Sequence, residues 1–420
     1  MTLLRLFVIG IASLCCTCFT VAASAEPRYI FLNVAYGSGE QRGEIEADYR
    51  AWLTKISGAI AAPERDEMRL GVSWIFSVLN APIDHNVAGL RRLLRASEAT
   101  GVPVLIVLDG QNWWEKRPEL WNWWDPARPG YDPANAENVE WTGWDASGAV
   151  KIGWRNWGRQ LRVAPAQNIM SPKVLEATLE PLTVLLRIVE DWRKALPPER
   201  AHLFGGVKLG WEASIGYNAF YYPDGNRFAE QWPAEETHDP VYGLDATKGL
   251  SGGLAQLGYA AVKTAGIKTE GALTREDLGE VVRRYLGLLA KAAGDAGLPP
   301  EKVYVHGGGT LEPFALHVPF EAVFNDWSTP GWSIYWKGPV DMPPIEEAMA
   351  QAGRTRWAAV EWLWPGQDRA AWAEHFVKTF HFRDCRHITV YNWEGIEHDA
   401  GALEAIRQVV GEWAEPGAAR

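Results

Sequence analysis

Eight short β-branched and aromatic runs, each followed by a stretch of helical periodicity, restrict this chain more than any other feature. The runs are 29–35, 70–78, 102–110, 203–212, 303–307, 331–337, 357–364 and 388–393. Most are near-continuously apolar, as strands buried on both faces of a parallel sheet should be. A helix is expected after each. Residues 86–99 put Val87, Leu90, Leu93 and Leu94 on one stripe and close at Gly101. Ser171 before Pro172 reads as an N-cap and first helical position, opening a helix that runs to about Ala195. Thr274 with Asp277 three residues on is a capping-box variant that starts a helix ending at Gly297, and 369–380 and 400–413 supply the last two. Eight repeats of β then α predict a (β/α)8 TIM barrel, one domain over 26–420. An open doubly wound sheet shares the alternation, because periodicity carries no information on closure.

The extra length has a pattern. About sixty residues separate Gly110 from Ser171, and about forty more follow the fourth run before Gly252. Both loops leave the C-terminal ends of strands, the face on which barrels of this kind build their sites. The chain has 23 Trp against 5 Met, and nine of the Trp (113, 114, 121, 123, 124, 141, 144, 154 and 157) fall in the first loop. Flat aromatic surface is therefore concentrated at the expected mouth. Many of these indoles, Trp121, Trp123 and Trp124 above all, are expected to bind the loop to the rim.

With 47% apolar residues among 420, the chain can bury a large core. The net charge of −11 and the lack of a Lys/Arg run argue against a nucleic-acid partner, since phosphate neutralisation needs a basic face. A neutral substrate is the natural expectation. Residues 1–25 start with Arg5 and an apolar run and end in Ala23-Ser24-Ala25, the pattern of a cleaved secretory signal. A secreted or periplasmic protein follows, with no membrane association after cleavage. Cys15, Cys16 and Cys18 leave with that signal, and Cys385 remains alone, so the fold is expected to stand without disulfides.

Two glutamates stand at strand ends. Glu212 closes the fourth run in Gly205-Gly206-Val207-Lys208-Leu209-Gly210-Trp211-Glu212, and Glu361 lies late in the seventh, in Val360-Glu361-Trp362-Leu363-Trp364. A carboxylate in apolar, Trp-rich sequence is costly unless it is paired or hydrogen-bonded, so each asks for an explanation. Glycosidic cleavage needs two such groups, one to protonate the leaving oxygen and one to act on the anomeric carbon or on water. Strands four and seven lie nearly across an eightfold ring, which lets the two face each other. Sugar rings also want aromatic platforms with amides, carboxylates and Arg at their rims. Asp109, Asn112 and Trp113 leaving strand three, and Trp154, Arg155 and Asn156 later in the same loop, fit that need. Trp211, Tyr217, His306, Trp336, Trp362, Asn392, Trp393 and Glu394 complete the expected sugar contacts. No metal and no cofactor is expected: paired-His helix motifs, Cys pairs and G-x-S-x-G elbows are absent from the sequence. His306-Gly307-Gly308-Gly309 lacks the Lys and Ser/Thr of a nucleotide loop and reads as a turn.

This layout resembles the retaining (β/α)8 glycoside hydrolases of the large clan with a catalytic Glu at the ends of strands four and seven. The resemblance implies Glu212 as acid/base and Glu361 as nucleophile, with the Trp of Tyr391-Asn392-Trp393-Glu394 as a floor for the sugar. That clan usually carries Asn before its acid/base, where this chain has Trp211. Gly210-Trp211-Glu212 with Tyr217, Tyr221 and Tyr222 downstream is also similar to the inverting β-amylases, so stereochemistry stays open. The expectation is an exported hydrolase of a β-linked oligosaccharide or polysaccharide, with a raised pKa on Glu212 and an ionised Glu361. A non-catalytic carbohydrate-binding barrel and a uronic-acid lyase are the other classes; the lyase wants a basic groove that the acidic balance does not favour.

Overall fold

The computed structural model describes residues 26–34, 48–110, 114–156, 160–213, 215, 256–308, 318–335, 338–364, 366 and 368–413, so residues 1–25 fall outside it. Eight parallel strands close into a barrel: β1 (Arg28–Val34), β2 (Met68–Ser77), β3 (Val104–Asp109), β4 (Phe204–Ala213), β5 (Val303–Gly307), β6 (Gly331–Tyr335), β7 (Arg356–Leu363) and β8 (Asp384–Val390). The ring follows chain order. Closure is made by β8 on β1, in register from Tyr29↔His387 to Leu32↔Val390, which removes the open-sheet alternative.

Seven helices coat the ring: α1 (Tyr49–Ile60), α2 (Ile83–Thr100), α3 (Pro172–Ala195), α4 (Arg275–Ala296), α5 (Pro343–Gln351), α6 (Arg369–His381) and α7 (Ala400–Glu412). After β5 the described residues carry only a one-turn 3-10 helix, Phe320–Val323, so the expectation of a helix after every strand holds at seven places. The α4 capping box forms in full, with Asp277 N donating to Thr274 Oγ1 (3.2 Å) and Thr274 N to Asp277 Oδ2 (2.9 Å). Ser171 does not cap α3 with its side chain. Its hydroxyl donates instead to Asn138 Oδ1 (2.7 Å), tying α3 to the first long loop.

The last strand begins earlier than its apolar pattern predicts, at Asp384 instead of Ile388, because the polar residues there satisfy one another. Arg386 pairs with Asp384 (2.9 Å) and Arg28 with the same carboxylate (3.1 Å), so a charged strand start is affordable at the closed end of the ring. The strand stops at Val390, and Trp393–Ile396 is a short helix rather than strand. Cys385 and His387 accordingly lie within β8 and not before it.

Two apolar layers hold the barrel. Inside its lower half, Tyr29, Phe31, Leu105, Tyr304, Ala358 and Val360 form a separate plug. Phe31 lies at its centre, and room for the ring is made by glycine on the facing strands. A Cβ on Gly205 would come within 2.2 Å of Phe31 Cζ, and one on Gly71 within 2.5 Å of Cε1. Outside, indoles fill the gap to the helices: Trp362 stacks on Phe376 (4.5 Å) and lies 5.5 Å from Trp372, and Trp332 is 6.2 Å from Trp357. In the first long loop, Trp114, Trp121, Trp123 and Trp141 donate their indole N–H groups to Pro165, Trp114, Val150 and Ala136 carbonyls within that loop, and Trp144 donates to Gly271. These five fasten the loop, as a large share of its indoles was expected to. No helix among the described residues is long and apolar enough to cross a membrane.

Emptying the plug should be expensive. Phe31→Ala is expected to cost roughly 3–5 kcal/mol, and Gly205→Ala, which overpacks against the same ring, roughly 1–3 kcal/mol. Urea unfolding followed by tryptophan fluorescence measures both; a near-neutral Gly205→Ala would mean the plug is loosely packed.

Candidate active site

Above the plug the barrel interior turns polar. On β4, Gly210 (φ 75°) and Glu212 (φ 42°) both take left-handed backbone, and the pairing with β5 shifts register between Leu209 and Ala213. A non-glycine residue held there costs on the order of 1–3 kcal/mol, a strain that concentrates at functional sites. On β7 the register also slips: Trp332 pairs Ala359, whereas Ser333 pairs Glu361. Simple alternation from Ala358 and Val360, both inside the plug, would send Glu361 outward. The slip turns it inward beside Ser333 and, by the same alternation, turns Trp362 out to the helices.

The consequence is a convergence. One carboxylate oxygen of Glu212, one of Glu361 and a ring nitrogen of His306 all lie within 4.8 Å of one another. Ser333 Oγ donates to Glu212 Oε1 (2.8 Å) and is 2.9 Å from His306 Nε2, which is itself 3.6 Å from Glu361 Oε2. Burial and the Lys208 charge hold the His306 pKa well below its ordinary value, so the ring is neutral. Because the Ser333 proton goes to Glu212, the Nε2–H of His306 is the donor to Ser333. Such a triad of groups is also close enough to hold a metal ion. Here a buried ammonium already supplies positive charge, so we read it as a carboxyl pair.

That group is Lys208, fully buried four residues before Glu212, with a pKa that burial draws below the ordinary lysine value against the upward pull of the Glu361, Asp109 and Glu212 charges. Nζ donates to Tyr391 Oη (3.1 Å) and lies over the rings of Trp211 (4.8 Å) and Tyr391 (5.1 Å), which meet edge-on. Glu361 is the deeper of the pair. Burial first, then the Glu212 charge, push its pKa up to about 8, against the opposing pull of Lys208, Tyr335 and Ser333. The expectation of an ionised Glu361 is therefore corrected: in the ligand-free site burial favours its protonated form, because it is the residue removed from water.

The remaining expected contacts divide. Asp109 ends β3 fully buried, where its charge acts on Lys208. Trp211 stands at the mouth against Tyr391, and Asn392 joins the rim, its Oδ1 accepting from Asn33 Nδ2 (2.7 Å), whose Oδ1 accepts from Ser73 (3.0 Å). Glu394 is half-buried in the first turn of the short helix after β8. Two assignments are overturned. Trp362 lies between β7 and α6, with its N–H on Thr379 Oγ1 (3.2 Å), and offers no face to a sugar. Trp393, 1% exposed, is packed into the outer core and is not a floor. Asn112, Trp113, Tyr217 and Trp336 lie outside the described residues. Trp154, Arg155 and Asn156 form one strand of a two-stranded hairpin, Gly153–Asn156 with Gln160–Val163, of which only the backbone is described.

Sequence reasoning gave no role to Lys208, Ser333, Tyr335 or Tyr391. Lys208 was discoverable: a lysine in an apolar strand, an even number of positions before Glu212, belongs on the same face. Nothing in the local sequence marks Ser333.

No family model and no curated protein matches this sequence. Among solved structures, the fold is similar to the catalytic domain of β-amylase from Paenibacillus polymyxa, at TM-score 0.50 and 10% identity, over 94% of this chain and all of that one. A looser likeness, TM-score 0.41 at 8% identity over 91% and 92% of the two chains, is to β-mannanase from the blue mussel Mytilus edulis. At 10% identity the likeness to the β-amylase domain is one of fold, and it agrees with the (β/α)8 barrel seen here.

The Glu361 carboxyl makes stability depend on pH in a stated direction. The folded chain keeps this proton to about pH 8, whereas an exposed carboxyl releases it near 4.5, so between those values the folded state binds more protons and stability falls as pH rises. Melting temperatures of wild type and Glu361→Gln are expected to diverge in favour of the variant across that window and to run parallel above it. Parallel curves throughout would place the proton elsewhere.

Proposed function

We propose that the protein is an exported glycoside hydrolase that cleaves a β-linked oligosaccharide or glycoside with retention, Glu361 acting as nucleophile and Glu212 as acid/base. One observation carries this reading: the carboxyl groups of strands four and seven meet within 4.8 Å at the C-terminal mouth of a closed barrel. Retaining enzymes hold their two carboxyls about 5–5.5 Å apart and inverting ones ~6.5–9.5 Å, to admit a water. The close approach of one oxygen from each carboxyl is what supports retention over the β-amylase-like alternative. Export rests on the character of residues 1–25.

In this scheme the ionised nucleophile attacks the anomeric carbon while the acid passes its proton to the departing glycosidic oxygen. Water then cleaves the glycosyl ester, the former acid taking the water's proton. The pair needs its proton on Glu212 at the first step and holds it on Glu361 when empty. Ser333 connects the two positions. Its hydroxyl donates to Glu212, and its hydrogen bond with Glu361 favours that group's ionised form, so Ser333 supports the carboxylate at either position. His306 keeps Ser333 oriented, and the Tyr335 hydroxyl, bonded to Glu361, supports the carboxylate once it forms. Trp211, half-buried and adjacent to Glu212 in the chain, offers aromatic surface to a sugar.

A panel of aryl β-glycosides and β-linked oligosaccharides, with the first-formed anomer read by proton NMR, tests the proposal. The product is expected to keep the β configuration, and Glu212→Gln and Glu361→Gln are each expected to lose about 10²–10⁴-fold or more in kcat with the fold intact. An α product would overturn retention. Glycan binding without release of any sugar would make this a binding barrel instead.

A further inference from the structure

Lys208 is an unusual residue to find where it is. The barrel below it is plugged with aromatic and aliphatic side chains, and a Met in its place would cost no desolvation, whereas a buried ammonium costs several kcal/mol unless opposing charge surrounds it. The surroundings supply that charge and fix the position. Nζ is held by two residues, by the Tyr391 hydroxyl at 3.1 Å, that ring's centroid being 5.1 Å away, and by the Trp211 ring at 4.8 Å. A long flexible side chain has been given a single seat.

The groups that share the interior with it come from six strands. Asp109 on β3, Glu212 on β4 and Glu361 on β7 are acids whose charges act on the ammonium. His306 on β5 and His387 on β8 are fully buried imidazoles, each held neutral by burial first and by Lys208 second. Tyr335 on β6 faces the two glutamates, and Tyr391 lies just past β8. The neighbours from β1 and β2, Asn33 and Ser73, are uncharged and hydrogen-bonded to each other. With both imidazoles neutral, Lys208 is the cation in this set that opposes three acids.

We propose that Lys208 is a positioning residue for the glutamate pair: its seated ammonium is the counter-charge that allows one of the two carboxyls to be ionised while the other keeps a proton. This rests on the reading of Glu212 and Glu361 as the working pair. The division of labour is then clear. The Asp109 charge opposes the burial that lowers the Lys208 pKa, Tyr391 and Trp211 keep the side chain from swinging toward solvent, and its place four residues before Glu212 on the same strand puts it on the plug side of the carboxyls. Without it, two acids within 4.8 Å would face only each other's charge, and both would hold their protons to higher pH.

The test uses the full chain and two variants. Lys208→Met keeps the side-chain length and removes the charge; Tyr391→Phe keeps both rings and removes the bond that seats the ammonium. Ionisation of Glu361 is followed directly, by infrared difference spectra of protein labelled with carbon-13 at the glutamate carboxyls, with Glu361→Gln identifying its band. In Lys208→Met the midpoint is expected to rise by about one pH unit or more, and in Tyr391→Phe by a smaller amount in the same direction. The acidic limb of kcat/KM on a cleaved glycoside should rise by the same amounts. An unchanged midpoint in folded Lys208→Met overturns the proposal; if that variant does not fold, an unchanged midpoint in Tyr391→Phe does. A midpoint that shifts in a protein with no hydrolytic activity on any glycoside would uphold the role of Lys208 toward the pair and defeat the enzymatic reading instead.

Discussion

Closure of the parallel sheet is the constraint on which everything else in this molecule depends. Once β8 pairs with β1, every strand delivers its carboxyl end to one rim, and side chains far apart in sequence look into one small volume. Glu212 and Glu361 are about a third of the chain apart in sequence, yet one oxygen of each approaches within 4.8 Å. An open sheet with the same strands would leave them on a crevice edge. The closed ring instead surrounds them with low-dielectric walls, where each charge matters more.

The ring is divided along its axis. The lower half is plugged by Phe31 and its neighbours, made to fit by glycines at 71 and 205, and excludes water. The upper half is lined by a lysine, three acids and the neutral imidazole of His306, while His387 lies lower, against Phe31 and Tyr304. Charged groups so deep survive only because they are mutually compensated and hydrogen-bonded. The rigid plug beneath and the seated lysine above it give the carboxyl pair a fixed floor, and the indoles of the first long loop hold the mouth's wall to itself and to the segment near Gly271.

Much of this was readable from residue pattern. The eight strands appear where period and β-branching placed them, and the Thr274 capping box formed as read, because both signals are local. The misreadings have physical causes. Trp362, an expected sugar contact, neighbours Glu361; adjacent residues of a strand point to opposite faces, so an inward Glu361 sends Trp362 outward to Phe376 and Trp372. Trp393 was read as strand, and it begins a helix that buries it. The start of β8 was missed because its polar residues look like loop until Arg28 and Asp384 are brought together across the closure.

By itself, the amino-acid sequence determined the alternation of strand and helix, the two long loops at one end, the wealth of indoles and the presence of two acids in apolar strand ends. Those properties follow from local periodicity, chain length and composition. Tertiary structure alone decided that the sheet closes, that Glu361 turns inward at a register slip, that Ser333 bridges the acids and that Lys208 sits beneath them. Each of these depends on which strand lies beside which and on how deeply a group is withdrawn from water, and neither quantity is written in any single segment of the chain.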